Sequence, residues 1–149
     1  MTLVLAAAGL FFSCKKRKAD SEPTRTDLLV QQAWTYESSG LDFDRNGTVD
    51  APLPIPIPAC SLDNTYVFNT NGSGVINEGA TKCDVSAPQT SPFSWSFGPG
   101  QTSINLQSTA LFGLGGQFKV NELTAARFIL SKDTTISTVT FGIIINLKH

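Results

Sequence analysis

The sequence predicts an all-β protein, an antiparallel up-and-down barrel of about eight strands preceded by one short helix. Three observations carry that prediction. Apolar and polar residues alternate with period two in segment after segment from Ala33 to the end of the chain. Turn signals such as Asn71-Gly72 and Pro99-Gly100 separate the segments. The connections are short, as in a meander that closes on itself and so leaves no unpaired edge. With 149 residues, 41% hydrophobic and 15% charged, the chain has apolar material for one core and one domain.

Taken in order, Thr24–Gln32 reads as the helix, with Leu28, Leu29 and Gln32 spaced for one side and Asp27 in the first turn. Ala33–Ser38 follows as a strand with Trp34 and Tyr36 on one side. Thr65–Thr70 sets Tyr66 and Phe68 against Val67, and Asn71-Gly72 turns it into Ser73–Glu78. Phe93, Trp95 and Phe97 alternate strictly with Ser94 and Ser96. Beyond Pro99-Gly100, Ser103–Ser108 turns Ile104 and Leu106 inward. Gly113, Gly115 and Gly116 read as a flexible loop before Gln117–Asn121, which carries Phe118 and Val120 inward. Arg127–Ser131 pairs Phe128 with Leu130, Lys132-Asp133 reads as a turn, and Ser137–Lys148 places Val139, Phe141, Ile143, Ile145 and Leu147 on one face.

The amino terminus reads as an address. Met1–Phe12 is apolar apart from Thr2, too short for a bilayer-spanning helix of about 20 residues and suited to a signal-peptide core. Ser13-Cys14 at its end resembles the lipobox of bacterial lipoproteins, which implies cleavage before Cys14 and acylation of that residue. Phe11 and Phe12 depart from the aliphatic and small residues usual there, and no Lys or Arg precedes the apolar run. The competing reading is a short buried apolar segment with a free cysteine. Lys15, Lys16, Arg17 and Lys18 would lie against lipid head groups or serve as a solvated linker. The expected organisation is a signal peptide over 1–13, anchor and tether over 14–26, and a barrel over 27–149.

In an exported protein the remaining pair, Cys60 and Cys83, reads as a disulfide. Closing its loop contributes roughly 3 kcal/mol through chain entropy. Two Cys with no nearby His are too few ligands for zinc, and the only His, His149, leaves no general base for a catalytic Cys.

Several features occur together in one order: Trp34 after a short helix, Cys60 followed by Asp63-Asn64-x-x-x-Phe68, the hairpin Asn71-Gly72, Cys83, the strand Phe93–Ser96, and a closing Arg127–Leu130. In that order, behind a lipobox, they resemble the lipocalin-like domain of small bacterial envelope lipoproteins across Leu28 to Leu147. The resemblance implies a lipocalin-like barrel, exported and lipid-anchored at the cell envelope, in the outer membrane facing periplasm or surface. It implies no reaction.

Two segments invite a ligand reading. Asp42-Phe-Asp44-Arg-Asn46-Gly47-Thr48-Val-Asp50 copies the first nine positions of a calcium loop, with candidate ligands Asp42, Asp44, Asn46, Thr48 and Asp50. Position twelve, where a bidentate Glu belongs, is Leu53, and prolines follow instead of a helix. The plain alternative is a turn in which Asp and Asn bond their own backbone. Ala51–Pro58 alternates Pro with Leu53, Ile55 and Ile57, an extended segment that cannot join a central strand. It is expected to pack over one mouth of the barrel, though a partner could dock on it.

Trp34, Tyr66, Phe68, Phe93, Trp95, Phe118, Phe128 and Phe141 are the candidates for a small apolar ligand, and a filled core predicts the same alternation. From residue 19 onward 7 Lys and Arg stand against 12 Asp and Glu, an acidic body unsuited to nucleic acid. No acid–base or nucleophile pairing is present, so an enzyme is not expected. The leading expectation is a non-catalytic envelope lipoprotein that binds a small apolar ligand or an envelope protein partner. The runner-up is an interaction lipoprotein with a filled barrel, acting through its loops.

Overall fold

The computed structural model describes residues 22–149, with the backbone alone at Ser108 and Thr109. The expected signal peptide, Cys14 and most of the tether lie outside the described residues. Helix α1 (Arg25–Val30) opens on a reciprocal cap. The Thr24 hydroxyl accepts the Asp27 N–H at 3.1 Å, and the Asp27 carboxylate accepts the Thr24 N–H at 2.9 Å. Six residues make no stable helix alone. Packing holds this one, through buried Leu29 and through the Trp34 indole, which donates to the Leu29 carbonyl at 2.8 Å.

Eight strands follow: β1 (Trp34–Asp42), β2 (Thr65–Phe68), β3 (Ser73–Asn77), β4 (Thr90–Phe97), β5 (Ser103–Leu111), β6 (Leu114–Leu123), β7 (Arg127–Ile136) and β8 (Val139–Lys148). Each runs antiparallel to the next, and β8 returns to pair with β1, closing the barrel. Alternation sorts the two faces. Phe93 and Trp95 are buried while Ser94 and Ser96 are exposed, and Ile104 and Leu106 are buried while Asn105 and Gln107 are exposed. A polar outer wall over an apolar interior is the reverse of a membrane-spanning barrel.

Two expectations about turns are corrected. Lys132-Asp133 is not a turn: β7 runs on to Ile136 and pairs with β8 as far as Ile136↔Val139, with the reversal at Ser137, where φ is 58°. Ten paired residues on β8 outweigh the weak turn preference of Lys-Asp. The glycine-rich stretch is not a flexible loop either. Phe112 and Gly113, with φ of 51° and 76°, make a tight hairpin between β5 and β6, and Gly115 and Gly116 belong to β6.

The ladder is not equally complete along the barrel. β1 pairs with β2 only at Trp34↔Tyr66 and Thr35↔Thr65, and β6 pairs with β7 only from Lys119↔Ser131 to Leu123↔Phe128. The half nearer α1 therefore carries the more complete ladder. The opposite half, bounded by the end of β1, the hairpin at Phe112-Gly113 and the reversal at Ser137, is an open mouth.

Candidate functional site

In the laddered half the lumen is filled. Phe68 lies at its centre, with ring centroids 5.2 Å from Phe93, 5.8 Å from Trp95 and 6.1 Å from Phe128. Trp34 packs on Phe128 at 5.5 Å. Offset and edge-on rings of this kind contribute about 0.5–1.5 kcal/mol per pair beyond area burial. Tyr66 is 1% exposed, and burial, with the nearby Glu78 charge, pushes its phenol well above the ordinary tyrosine range. Seven of the eight aromatic candidates, Trp34, Tyr66, Phe68, Phe93, Trp95, Phe118 and Phe128, belong to this core.

The mouth half holds a cavity of about 470 Å³, within the range of about 300–1,000 Å³ typical of ligand pockets. Its walls are Ser39 and Leu41 of β1, Phe141, Ile143 and Ile145 of β8, Thr134 and Ile136 of β7, and the segment Leu53–Pro58. Phe112 and Leu114 complete the lining, and no charged residue contributes to it. Phe112 divides cavity from core. Its ring meets Tyr36 edge-on at 5.3 Å and Tyr66 at 6.0 Å, standing where the aromatic packing ends. Phe141 alone of the eight candidate aromatics reaches the cavity.

Sequence reasoning missed Phe112, Leu114, Ser39, Thr134 and Ile136. Phe112 could have been found by reading Phe112-Gly113 as the two-residue turn of a hairpin rather than as part of a flexible loop.

The strap Leu53–Pro58 crosses the mouth as expected, with Leu53 and Ile57 half-buried and Ile55 81% exposed. Among the described residues no hydrogen bond ties Pro52–Ile57 to the barrel. Prolines remove every other donor, and the segment is held at its ends. Before it, the Leu41 N–H donates to the Ala51 carbonyl at 2.8 Å. After it, a short 3-10 turn (Ala59–Ser61) carries Cys60, bonded to Cys83 with Cα atoms 5.1 Å apart.

The Asp42–Asp50 loop folds against the outer wall of β1. A Cβ at Gly40 would collide with Val49 and come within 2.7 Å of the Ala51 carbonyl oxygen, so this close approach requires glycine. Asp42, 2% exposed, accepts the Asn46 N–H at 3.1 Å and the Gly47 N–H at 2.8 Å, and Asp50 accepts the Phe43 N–H at 2.7 Å.

Carboxylate oxygens of Asp42, Asp44 and Asp50 come within 4.8 Å of one another. No Lys, Arg or His lies within 4.0 Å of them among the described residues. A calcium ion takes 6–8 oxygens. Here the three carboxylates converge, but the Asn46 amide oxygen accepts the Thr48 N–H at 2.8 Å and Leu53 lines the cavity in place of an acidic ligand. The set is incomplete for calcium, and the hydrogen bonds explain the loop as a turn.

No family model matches the chain, and no curated protein matches it.

Proposed function

We propose that the protein is a non-catalytic, lipid-anchored envelope lipoprotein of the lipocalin-like kind, holding a small apolar ligand at the mouth of its barrel. The cavity under the proline strap carries this reading: about 470 Å³, open to solvent at its rim and lined by uncharged, mostly aliphatic side chains, in a barrel whose other half is filled. The ligand site is thus the mouth, lined by Leu41, Leu53, Ile57, Phe141, Ile143 and Ile145, and not the aromatic core.

A neutral naphthylamine dye that brightens in apolar surroundings tests it. Saturable binding is expected, weakened about tenfold by Ile143→Lys, which sets a charge inside the cavity. An unsaturable signal, or one indifferent to Ile143→Lys, overturns it. Anchoring rests on Ser13-Cys14 at the end of an apolar run. Radiolabelled fatty acid should enter the native protein and fail to enter Cys14→Ser, which should also leave the membrane fraction.

A second reading, an interaction protein acting through its loops, draws on the exposure of Phe43 (53%), Ile136 (64%) and Val139 (61%) beside Ile55 at the rim. Exposed apolar patches mark partner sites. Recovery of one envelope protein by crosslinking from Ile136, lost in a strap variant that still binds the dye, would favour it.

A further inference from the structure

The β7–β8 hairpin outgrows the barrel. β1 is laddered to β8 no further than Asp42↔Gly142, and β6 to β7 no further than Lys119↔Ser131. Past those pairs the hairpin runs on through Thr134↔Phe141, Thr135↔Thr140 and Ile136↔Val139, laddered only to itself. A two-stranded ribbon without neighbours is marginally stable, so this one yields most easily where it leaves the wall. Gly142 stands at that level, opposite Asp133. A Cβ there would lie 3.3 Å from the Asp42 Cβ, so glycine keeps the root of the ribbon free of side-chain bulk.

The two faces of the ribbon differ in chemistry. Thr134, Ile136 and Phe141 line the mouth cavity, and Val139, paired with Ile136, shares their face. The other face carries Asp133, held by Arg45 at 3.6 Å, and Thr135 and Thr140, whose hydroxyls bond each other at 2.8 Å. The tip is Ser137-Thr138. Apolar surface is therefore turned to the cavity, and a partner approaching from outside or end-on would meet polar groups first. Ile136 is nevertheless 64% and Val139 61% exposed, and Ile55 of the strap, which borders the same cavity, is 81% exposed.

We propose that the hairpin tip, Asp133–Gly142, is a lid: it bends inward at Gly142 once a ligand fills the cavity and brings Ile136 and Val139 down onto the ligand and onto Ile55. This rests on the reading of the mouth cavity as a ligand site and adds how that site closes. Over an empty cavity the closing side chains would find few atoms to pack on and gain little. A bound apolar molecule supplies those atoms, and its extra contacts in the closed form shift the equilibrium toward it.

Methyl NMR of the full chain with a soluble, neutral gadolinium chelate, before and after saturation with dodecanol, tests the proposal together with dye-release kinetics. Saturation is expected to shield the Val139, Ile136 and Ile55 methyls from the chelate and to create a nuclear Overhauser contact between Val139 and Ile55. Val85, 88% exposed and outside the cavity, should stay as accessible as before. Val139→Ser alters a closing residue that does not line the open cavity, and should release the naphthylamine dye about tenfold faster with association little changed. Shifts at Ile143 and Ile145 while Val139 keeps its exposure, or release from Val139→Ser at the parent rate, would overturn the lid and leave the cavity reading intact. Absence of any shift at Ile143 and Ile145 would remove the cavity reading and the lid with it.

Discussion

Trp34 shows how one side chain ties helix α1 to the barrel. Its ring packs on Phe128 and His149, and its indole N–H donates to the Leu29 carbonyl. Trp34→Phe keeps the ring contact and orphans that carbonyl, so it should cost about 1–3 kcal/mol in denaturant unfolding. Phe68→Ala removes the ring around which three aromatics pack and should cost about 3–5 kcal/mol. Tyr66 gives a pH signature. Its folded pKa is raised, so the folded state holds the phenol proton where the unfolded chain releases it. Stability is therefore full below the ordinary value of 10.0 and falls as pH rises above it. Alkaline unfolding monitored by phenolate absorbance should show Tyr66 ionising only with unfolding; its titration in the intact fold would contradict the burial.

At the scale of elements, strap and disulfide act as one device. Pro52–Ile57 makes no hydrogen bond to the barrel, so its position depends on the Leu41–Ala51 bridge and on the Cys60–Cys83 bond. Cys60→Ala/Cys83→Ala should lose roughly 3 kcal/mol of stability and weaken dye binding, because the far end of the strap is released. Equal binding with and without the bridge would show that the strap does not close the cavity. For the Asp42–Asp50 loop, the missing oxygen at Leu53 predicts no calcium-dependent change in melting temperature. Asp42→Ala should cost about 2–3 kcal/mol with or without calcium, through its two backbone hydrogen bonds.

Strands, the short helix, the hairpin at Asn71-Gly72, the disulfide and the strap were legible in the sequence, because each rests on local chemistry. The depth of a side chain was not. Phe118 and Phe141 alternate alike, yet one is core and the other cavity wall, since depth depends on register with neighbouring strands. Lys132 read as a turn residue because its place within β7 depends on the ladder with β8 and not on local turn preference.

The whole molecule divides its labour by halves. The laddered half, with Leu29 of α1 packed into it, supplies the core. The mouth half forgoes pairing at β1–β2 and β6–β7 and gains a cavity and a split wall. The amides of Leu114–Phe118 that face β7 have no partner strand, so they should exchange faster than the amides of Val120–Leu123, while those that face β5 stay protected; uniform protection along β6 would contradict the split.

Methyl NMR during titration with dodecanol tests the central claim most directly, that binding belongs to the mouth and not to the aromatic core. The account predicts shifts at Leu41, Leu53, Ile57, Leu114, Ile143 and Ile145, with Ile104, Leu106 and Leu130 unmoved. Shifts centred on Ile104, Leu106 and Leu130, or none at any of these methyls, would contradict it.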